Sequence, residues 1–391
     1  MSPFRFVGKL PAAKSILNRL LLAQSYEPDL RIIGDNTCDD VQRMREGLAA
    51  LESGQPIFCG SAGTVLRFLA LRASREKGRY ILTGSPRLFA RPQQELLKVL
   101  QQVGVAAELR SSELEIQSQG WKLQGDTLLV PSGRSSQFAS AVLLNAWGLP
   151  FDLYVSLSGA FVSEGYWRMS VQLAQELGMK IDFWDADFRV PKTQRVLGSS
   201  MVAETDLGSA FVIAALAAVG GHASIVDFPD THLQPDFAFV NILKAMGVPL
   251  AVQGHTLKVE KAARLNGVAV NLRSAPDLFP VLAALCALAD GDSELHSAPH
   301  LVHKESNRLQ RLATWIQELG RVVEVKEDGI VIRGPRLEPR EGQWTFDCDG
   351  DHRLAFTAAV FKMSGYNIEI RQPEVVAKSF PGFWQLFWWS T

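Results

Sequence analysis

The chain has 391 residues, of which 47% are hydrophobic, so we expect a globular protein of two or three domains. The net charge of -1 excludes a global electrostatic attraction to nucleic acid or to a membrane surface. Any anion-binding role must therefore come from a local cluster of cations. The start of the chain, MSPFRFVGKL, lacks the apolar run of a signal peptide, and no segment reaches the roughly 18 apolar residues of a membrane span.

Four cysteines are scattered along the sequence, at Cys38, Cys59, Cys286 and Cys348. None of them forms a CxxC pair, so the spacing favours neither a structural zinc site nor a disulfide framework. The pattern is typical of a reduced protein of the cytoplasm, and we expect no metal.

The first predicted helix begins near Ser15, in the phrase LPAAKSILNRLL. Lys14 and Ser15 would lie at its N-terminus, where free N–H groups and the helix dipole favour anions. Arg19 comes four residues after Ser15 and therefore shares its face. An ordinary N-cap with a solvated lysine explains this phrase equally well when it is taken alone.

The next predicted helix opens with small residues, in CGSAGTVLRFLA, where the backbone at Gly63 can approach a ligand closely. Arg67 lies one turn inside that helix. Further along, Arg91 precedes Pro92, which suits the first turn of another helix. These phrases match neither the GxGxxG pattern nor a P-loop, so nucleotide binding is not supported.

Hydroxyl and amide donors precede the next two helices. The phrase PSGRSSQFASAVLL contributes Ser135, Ser136 and Gln137, and SEGYWRMSVQL contributes Ser163 and Tyr166. The first of these phrases leads into an apolar helix. Both phrases extend the same pattern, in which ligand-binding residue types stand where apolar helices begin.

One phrase recurs four times, as an amphipathic helix that stops at a glycine and is followed by a short alternating strand. The glycines are Gly104, Gly178, Gly247 and Gly320, about seventy residues apart. Glycine suits that place because a helix often ends with a residue at positive φ. One copy is common in any α/β protein, but four at even spacing predict an internally duplicated α/β architecture. Other helices are apolar nearly all round, so we expect buried helices and outward-facing sheets.

Acidic and basic residues continue the pattern in the second half of the chain. Asp277 stands before a wholly apolar helix in SAPDLFPVLAAL, where an isolated acid is most simply an N-cap. The other members are Lys304, Glu305 and Arg308 in LVHKESNRLQRLA, Arg353 in CDGDHRLAFTAAVF, and Lys378 in VVAKSFPGFW. Helix starts that converge on one cleft would hold phosphates and carboxylates, for which the arginine fork is well suited.

Taken together and in this order, the phrases resemble the 5-enolpyruvylshikimate-3-phosphate (EPSP) synthase family. The resemblance runs from about Lys9 to Phe387 and rests on KSxxNR, GxAGTxxR, ARP, SSQF, SExY, KExxR, DHR and AKSFP. It implies the transfer of the enolpyruvyl group of phosphoenolpyruvate to the 5-hydroxyl of shikimate 3-phosphate, with release of phosphate, in the route to chorismate and the aromatic amino acids. It implies no metal or organic cofactor.

The resemblance also implies a two-domain, enolpyruvyl-transferase-like α/β fold. Each domain would consist of three repeated α/β units, which agrees with the repeat described above. The first domain is expected over residues 13–204 and the second over residues 1–12 together with 205–391, with the active site in the cleft between them. We expect a cytoplasmic monomer whose partners are the two small-molecule substrates.

Roles for individual residues follow from the resemblance alone. Asp277 would take the proton of the 5-hydroxyl, Glu305 would transfer a proton near the methylene carbon, and Lys14 completes the catalytic set. The residues implied to bind shikimate 3-phosphate are Lys14, Ser15, Arg19, Ser135, Ser136, Gln137, Ser163, Tyr166, Asp277, His300 and Lys304. Those implied to bind phosphoenolpyruvate are Lys14, Gly63, Arg91, Gln137, Arg308, Arg353 and Lys378.

The chain departs from the family pattern at several motif positions. They are Ala12, Ala13, Ser61, Phe68, His300, Val302 and Asn307. His300 stands where the family has an asparagine that contacts shikimate 3-phosphate. These departures leave open a non-catalytic or altered-acceptor relative of the same fold. The sister enzyme that acts on UDP-N-acetylglucosamine fits less well, because TGSPRLFARP lacks its loop cysteine and Ser15 replaces its asparagine.

Overall fold

The computed structural model describes residues 3–229 and 233–388. The chain divides into two compact units. The inserted unit is Lys14–Ala203, and the flanking unit is Met1–Ala13 together with Glu204–Thr391. No helix within the described ranges is both long enough and apolar enough to cross a membrane.

The flanking unit begins with strand β1 (Phe4–Lys9), and the elements of the inserted unit follow it. The helices of the inserted unit are α1 (Lys14–Gln24), α2 (Asp39–Ser53), α3 (Gly63–Ser74), α4 (Pro86–Ala90), α5 (Gln94–Gln102), α6 (Gln137–Leu144) and α7 (Glu164–Glu176). Its strands are β2 (Arg31–Ile33), β3 (Ile57–Phe58), β4 (Lys77–Thr83), β5 (Ala106–Leu109), β6 (Glu113–Gln119), β7 (Leu128–Pro131), β8 (Leu153–Ser158), β9 (Asp182–Trp184), β10 (Asp187–Val190) and β11 (Ser200–Val202).

The rest of the flanking unit follows β11. Its helices are α8 (Leu207–Gly220), α9 (Phe239–Ala245), α10 (Phe279–Ala287), α11 (Arg308–Glu318), α12 (His352–Met363) and α13 (Phe383–Trp388). Its strands are β12 (Gly221–Val226), β13 (Leu250–Gln253), β14 (Thr256–Glu260), β15 (Ala269–Asn271), β16 (Ser293–His296), β17 (Val322–Lys326), β18 (Gly329–Arg333), β19 (Trp344–Asp347) and β20 (Ile368–Arg371). Short 3-10 helices lie at Pro235–Ala238, Pro276–Leu278, Pro299–His303 and Pro373–Lys378.

One sheet plan recurs in both units, across the part of the chain that the structure describes. The four-stranded sheets run β3-β4-β6-β5 and β7-β8-β10-β9 in the inserted unit, and β1-β12-β14-β13 and β15-β16-β18-β17 in the flanking unit. In each of them the first pair is parallel and the other two pairs are antiparallel. Each unit adds one parallel two-stranded sheet, β11-β2 or β19-β20. The predicted threefold repeat in each half is thus confirmed, with the third copy reduced to two strands.

The repeated glycines have the backbone conformation that the sequence predicts. Gly104, Gly178, Gly247 and Gly320 have φ values of 75°, 92°, 82° and 105°, which side-chain-bearing residues rarely adopt. They follow α5, α7, α9 and α11, and each precedes the last strand in the order of its sheet. Each of these four turns therefore reverses the chain from a helix into a strand in the same way.

The cores of both units consist of helices that are apolar on all sides. Every residue of α10 is buried, as are residues 207–218 of α8. In the inserted unit, seven of the eight residues of α6 are buried. Along the strands, buried and exposed side chains alternate, as expected for a sheet with one face toward solvent. In β1, Phe4 and Phe6 are buried and Arg5 is exposed. The expected arrangement of buried helices and outward sheets is confirmed.

Candidate active site

In the flanking unit, one guanidinium joins the two carboxylates that the resemblance makes catalytic. Nη1 of Arg308 lies 3.2 Å from Oδ1 of Asp277, and Nη2 lies 3.2 Å from Oε2 of Glu305. The side chain of Arg308 is only 1% exposed. Arg308 is the first residue of α11, as expected for a cation at a helix start. The two acids are therefore held next to each other by a fixed, buried cation.

Three further cations complete this group. Nη2 of Arg353 donates to Oδ2 of Asp277 at 3.3 Å, and Nζ of Lys304 lies 3.6 Å from Oδ1 of Asp277. Nζ of Lys378 lies 3.7 Å from Oε1 of Glu305. All six predicted charged residues of the flanking unit thus lie in one cluster, which we call the acid–base cluster: Asp277, Lys304, Glu305, Arg308, Arg353 and Lys378.

A seventh charged residue, Asp351, forms an ion pair with Arg308 of the acid–base cluster. Its carboxylate accepts from Nε of Arg308 at 2.8 Å and from Nη2 at 3.1 Å, and it is fully buried. Ser306 donates a further hydrogen bond to it at 3.0 Å. Asp351 also caps α12, because it accepts from the backbone N–H of Arg353. Asp351 stands in the phrase CDGDHRLAFTAAVF, but its sequence position alone indicates no role for it.

Asp277 is not the helix N-cap that its isolated position favours. It lies in the 3-10 turn Pro276–Leu278, and Leu278 occupies the N-cap position of α10 without a side-chain cap. Its carboxylate is instead surrounded by cations. Since α10 and α12 pack against each other, the start of α10 brings Asp277 to Arg353.

The surrounding charges decide the protonation state of Asp277. Burial by itself would raise the pKa of this carboxyl group. The positive charges of Lys304, Arg353 and Arg308 outweigh burial and hold that pKa well below its usual range. Asp277 is therefore ionised at neutral pH and can accept a proton.

His300 is buried in the 3-10 helix Pro299–His303, with 4% of its surface exposed. Burial, together with the positive charge of Lys304, lowers the pKa of its imidazole to about 3. His300 is therefore neutral at neutral pH. A neutral imidazole presents one donor and one acceptor, as does an amide such as the asparagine that the resemblance implies at this position.

In the inserted unit, Lys14 is the first residue of α1 and has a carboxylate partner. Its Nζ lies 2.8 Å from Oδ2 of Asp40, and both side chains are largely buried. Asp40 belongs to the first turn of α2, where acids are favoured by the helix dipole. Asp40 is not recognisable as a site residue from the sequence, because the pair Asp39–Asp40 has the composition of an ordinary helix start.

Arg19 in α1 donates hydrogen bonds from all three of its nitrogens, and two of them reach α7. Nε donates to Oγ of Ser170 at 2.8 Å, Nη1 to the carbonyl of Ser15 at 2.7 Å, and Nη2 to the carbonyl of Tyr166 at 3.2 Å. Burial lowers the pKa of Arg19 to about 10, so it keeps its charge at neutral pH. The predicted i, i+4 relation of Arg19 to Ser15 is present, and the backbone carbonyl of Tyr166 accepts from the same guanidinium.

The donors before α6 are arranged by a buried arginine. Nη1 of Arg67 donates to Oε1 of Gln137 at 2.6 Å and lies 3.5 Å from Oγ of Ser135. The amide nitrogen of Gln137 donates in turn to Oγ1 of Thr64 at 2.9 Å. Because arginine is only a donor, it fixes which end of the Gln137 amide is oxygen. Arg67 lies one turn inside α3, and its sequence position alone indicates no function for it.

Two of the predicted serines are buried, and each of them stands directly before a helix. Ser136 is 2% exposed at the N-cap position of α6. Ser163 is 6% exposed at the N-cap of α7, with φ 54° and ψ 39°. Serine in this left-handed region is strained, and such strain is concentrated at functional sites.

Gly63 and Arg91 lie against each other. A β-carbon built on Gly63 would come within 3.0 Å of Nη1 and 3.2 Å of Cζ of Arg91. Arg91 directly follows α4. The expected helix start at Pro92 is wrong: α5 begins at Gln94 with Gln93 as its N-cap. Pro92 instead contributes its carbonyl, which accepts from Nη2 of Arg67 at 3.3 Å.

The predicted residues thus form two groups, one in each unit. The flanking unit assembles the acid–base cluster beside His300. The inserted unit assembles the donors around Arg19 and Arg67, together with Lys14 and the Gly63–Arg91 contact. Each group combines cations with hydrogen-bond donors, which is the chemistry that binds phosphate and carboxylate groups.

Comparison with known proteins places the chain in a family. The model of the family described as EPSP synthase (3-phosphoshikimate 1-carboxyvinyltransferase) matches residues 9–387. A curated relative named 3-phosphoshikimate 1-carboxyvinyltransferase from Methanoculleus marisnigri is 32% identical over 338 residues, covering 84% of this chain and 78% of that protein. A relative of the same name from Syntrophobacter fumaroxidans is 31% identical over 412 residues, covering 97% and 95%.

Solved structures show the same fold at lower identity. An EPSP synthase from Acinetobacter baumannii superposes with a TM-score of 0.75 at 20% identity, covering 98% of this chain and 95% of that one. The enolpyruvyl transferase NikO from Streptomyces tendae gives a TM-score of 0.72 at 14% identity, covering 99% and 94%. The match of the family model over residues 9–387, joined by relatives above 30% identity, establishes that this chain belongs to the EPSP synthase family.

Proposed function

We propose that this chain transfers the enolpyruvyl group of phosphoenolpyruvate to the 5-hydroxyl of shikimate 3-phosphate and releases phosphate. The observation that carries the proposal is the pair of carboxyl groups, Asp277 and Glu305, each 3.2 Å from the same guanidinium of Arg308. Two carboxyl groups close together can divide the proton transfers of an addition reaction between them. Membership of the EPSP synthase family supports the same reaction.

In the addition step, Glu305 gives a proton to the methylene carbon of phosphoenolpyruvate, and the adjacent carbon gains cationic character. The 5-hydroxyl oxygen forms a bond to that carbon while its proton passes to Asp277. In the elimination step, the carbon–oxygen bond to phosphate breaks, the Glu305 carboxylate takes a proton from the new methyl group to restore the double bond, and Asp277 gives its proton to the departing phosphate. The low pKa of Asp277 supports its part, because an acceptor must begin as a carboxylate.

Charge complementarity supports the choice of substrates. Each substrate carries one phosphate and one carboxylate, so four anionic groups must be held in register. Arginine and lysine side chains, fixed by protein contacts before the substrates arrive, would stabilise these groups and the charge that develops between them. The acid–base cluster has four cations for its two carboxylates, and Asp351 offsets one of them.

The proposal assigns one set of residues to each substrate. The set proposed for shikimate 3-phosphate is Lys14, Ser15, Arg19, Ser135, Ser136, Gln137, Ser163, Tyr166, Asp277, His300 and Lys304. The set proposed for phosphoenolpyruvate is Lys14, Gly63, Arg91, Gln137, Arg308, Arg353 and Lys378. Both sets draw on both units, so we propose that the reaction needs the two units together. We also propose that the chain acts as a monomer in the cytoplasm, which size-exclusion chromatography and cell fractionation test.

The deciding experiment follows phosphate release from phosphoenolpyruvate in the presence of shikimate 3-phosphate. We expect turnover by the wild-type chain and a fall in kcat of about 10²–10⁴-fold in Asp277→Asn, which removes the proton acceptor. A matched control is Asp292→Asn, because Asp292 lies in the same unit and forms an exposed ion pair with Arg333. This control should keep the wild-type rate.

Other outcomes separate the alternatives. Shikimate 3-phosphate that raises the melting temperature without any turnover would favour a non-catalytic relative. Turnover of phosphoenolpyruvate only with a different hydroxyl acceptor would identify an altered acceptor. No phosphate release and no thermal shift with either substrate would overturn the proposal.

A further inference from the structure

Gly208 lies directly against the guanidinium of Arg353. It is the second residue of α8, and a β-carbon built there would come within 2.9 Å of Nη1 and 3.1 Å of Nη2 of Arg353. The same β-carbon would lie 3.2 Å from Oδ1 of Asp206, the residue that caps α8. Contacts below 3.0 Å are essentially never made by a real β-carbon, so any side chain at this position must displace the arginine.

Glycine is not required here by the backbone. Gly208 lies in a regular helical turn and does not have the positive φ of the helix-ending glycines. Glycine also weakens a helix relative to alanine. Because glycine has no side chain, it leaves space beside the helix at this position, and the guanidinium of Arg353 occupies that space.

Arg353 has little freedom to adjust. Its side chain is 7% exposed, and its Nη2 donates to Oδ2 of Asp277 at 3.3 Å. A shift of a few tenths of an ångström away from α8 would therefore change the geometry of Arg353 relative to Asp277. Because the atoms in the way are the far end of a side chain, the shift would fall on the arginine rather than on the fold.

The inserted unit contains the same arrangement. Gly63 is the first residue of α3, and a β-carbon placed on it would lie 3.0–3.2 Å from the guanidinium of Arg91. Gly63 also lacks a positive φ. In both units, therefore, a glycine in the first turn of a buried helix lets an arginine guanidinium lie against the helix. Arg91 and Arg353 are both proposed to bind phosphoenolpyruvate.

From this recurrence we infer that Gly208 is a positioning residue: it sets the location of the Arg353 guanidinium and thereby the affinity for the phosphoenolpyruvate anion. This inference rests on the proposed function. Under this inference, Gly208 contributes to that function through Arg353 and not by contacting the reacting atoms itself. The inference also predicts that the effect of Gly208 depends on the planar group of Arg353.

The first test is Gly208→Ala, assayed by phosphate release. We expect the KM for phosphoenolpyruvate to rise about tenfold, since small displacements of a binding group are costly, while the KM for shikimate 3-phosphate changes less. The melting temperature should stay level or rise, because alanine favours the helix. Gly125→Ala is the control: it adds the same methyl group at a glycine with open space around it and without positive φ.

The second test combines Gly208→Ala with Arg353→Lys. Lysine keeps the charge but lacks the planar fork that Gly208 accommodates. In the Arg353→Lys background, adding Gly208→Ala should change the phosphoenolpyruvate KM less than about twofold. A full tenfold effect in that background would overturn the inference, because Gly208 would then act by another route.

The two proposals fail in different ways. If the wild-type chain turns over and Gly208→Ala has the wild-type KM for phosphoenolpyruvate, the inference is overturned and the proposed function stands. Equal rises in both KM values, with a lowered melting temperature, would also overturn it in favour of a structural role. No turnover by the wild-type chain would overturn the proposed function, and the inference with it.

Discussion

Arg308 and Asp351 form a two-pronged ion pair, with Nε 2.8 Å from one carboxylate oxygen and Nη2 3.1 Å from the other. Neither side chain is more than 1% exposed. The same guanidinium then reaches Asp277 and Glu305 with its two terminal nitrogens. The pair thus connects the cap of α12 to both proposed proton-transfer groups, and it fixes the cation between them.

Asp351→Asn should destabilise the protein strongly. Asparagine keeps the shape and can still cap α12, but it leaves the buried charge of Arg308 without its main partner. Breaking one side of a buried pair costs about 3–5 kcal/mol, and urea unfolding at neutral pH measures it. The control is Glu294→Gln, which breaks a half-exposed pair with Lys326 in the same unit and should cost no more than about 1 kcal/mol. Equal losses in the two variants would contradict the role assigned to the buried pair.

Arg67→Met should impair catalysis without removing any proposed substrate ligand. Methionine fills the volume but cannot donate to Gln137 or to the carbonyl of Pro92. The Gln137 amide then loses its fixed orientation, and we expect kcat/KM to fall by about 10²-fold. Arg67→Lys keeps one donor and should fall between wild type and Arg67→Met. If circular dichroism shows a folded Arg67→Met with wild-type kcat/KM, Arg67 does not orient the site.

Two substitutions of Ser163 separate the effect of its backbone strain from the effect of its hydroxyl group. Ser163→Ala removes the hydroxyl but keeps a side chain at φ 54°, whereas Ser163→Gly removes both the hydroxyl and the strain. Both variants should bind shikimate 3-phosphate more weakly, as measured by calorimetry. The glycine variant should be the more stable of the two by about 1 kcal/mol. An alanine variant as stable as the glycine variant would show that the left-handed conformation is not strained here.

His300 predicts a specific pH dependence of stability. In the folded chain its pKa of about 3 lies below the ordinary histidine value of 6.5. As the pH falls below about 6.5, the unfolded chain takes up a proton that the folded chain refuses, so stability drops by about 1.4 kcal/mol per pH unit until about pH 3. Asparagine does not titrate.

The matching experiment compares wild type with His300→Asn by urea unfolding at pH 7 and pH 5. Between these values the wild type should lose about 2 kcal/mol more stability than the variant. Parallel losses in the two proteins would mean that His300 is protonated in the folded state. The same variant introduces the asparagine that the resemblance implies at this position, so its KM for shikimate 3-phosphate also tests whether His300 changes the acceptor.

Much of the fold could be predicted because its repeat is encoded locally. A helix that must reverse into a strand requires a residue with positive φ, and glycine at Gly104 or Gly320 signals that reversal within a dozen residues. The two-stranded sheet β11-β2 carries no such signal. Strands β2 and β11 have three residues each and pair residues 31–33 with 200–202, and the sequence between them gives no local indication of that pairing.

The candidate site could be predicted in part, for a related reason. Residues at helix starts stand next to apolar runs and are visible in the sequence, as Lys14 and Arg308 are. Their partners are not visible in that way. Asp40 pairs with Lys14 across 26 positions, and Arg67 reaches Gln137 across 70. Such pairs depend on how helices pack, which periodicity within one helix does not specify.

The parallel pairing of β1 with β12 has a consequence for synthesis in the cell. Phe4–Lys9 leaves the ribosome long before Gly221–Val226, and all of the inserted unit is made in between. At roughly 5–20 residues per second, β1 waits on the order of 10–40 seconds for its neighbour. During that time Phe4 and Phe6 lack the core helix α8 that packs against β1, and they are available to chaperones. The inserted unit can finish folding first, and the flanking unit closes only when its own middle section has emerged.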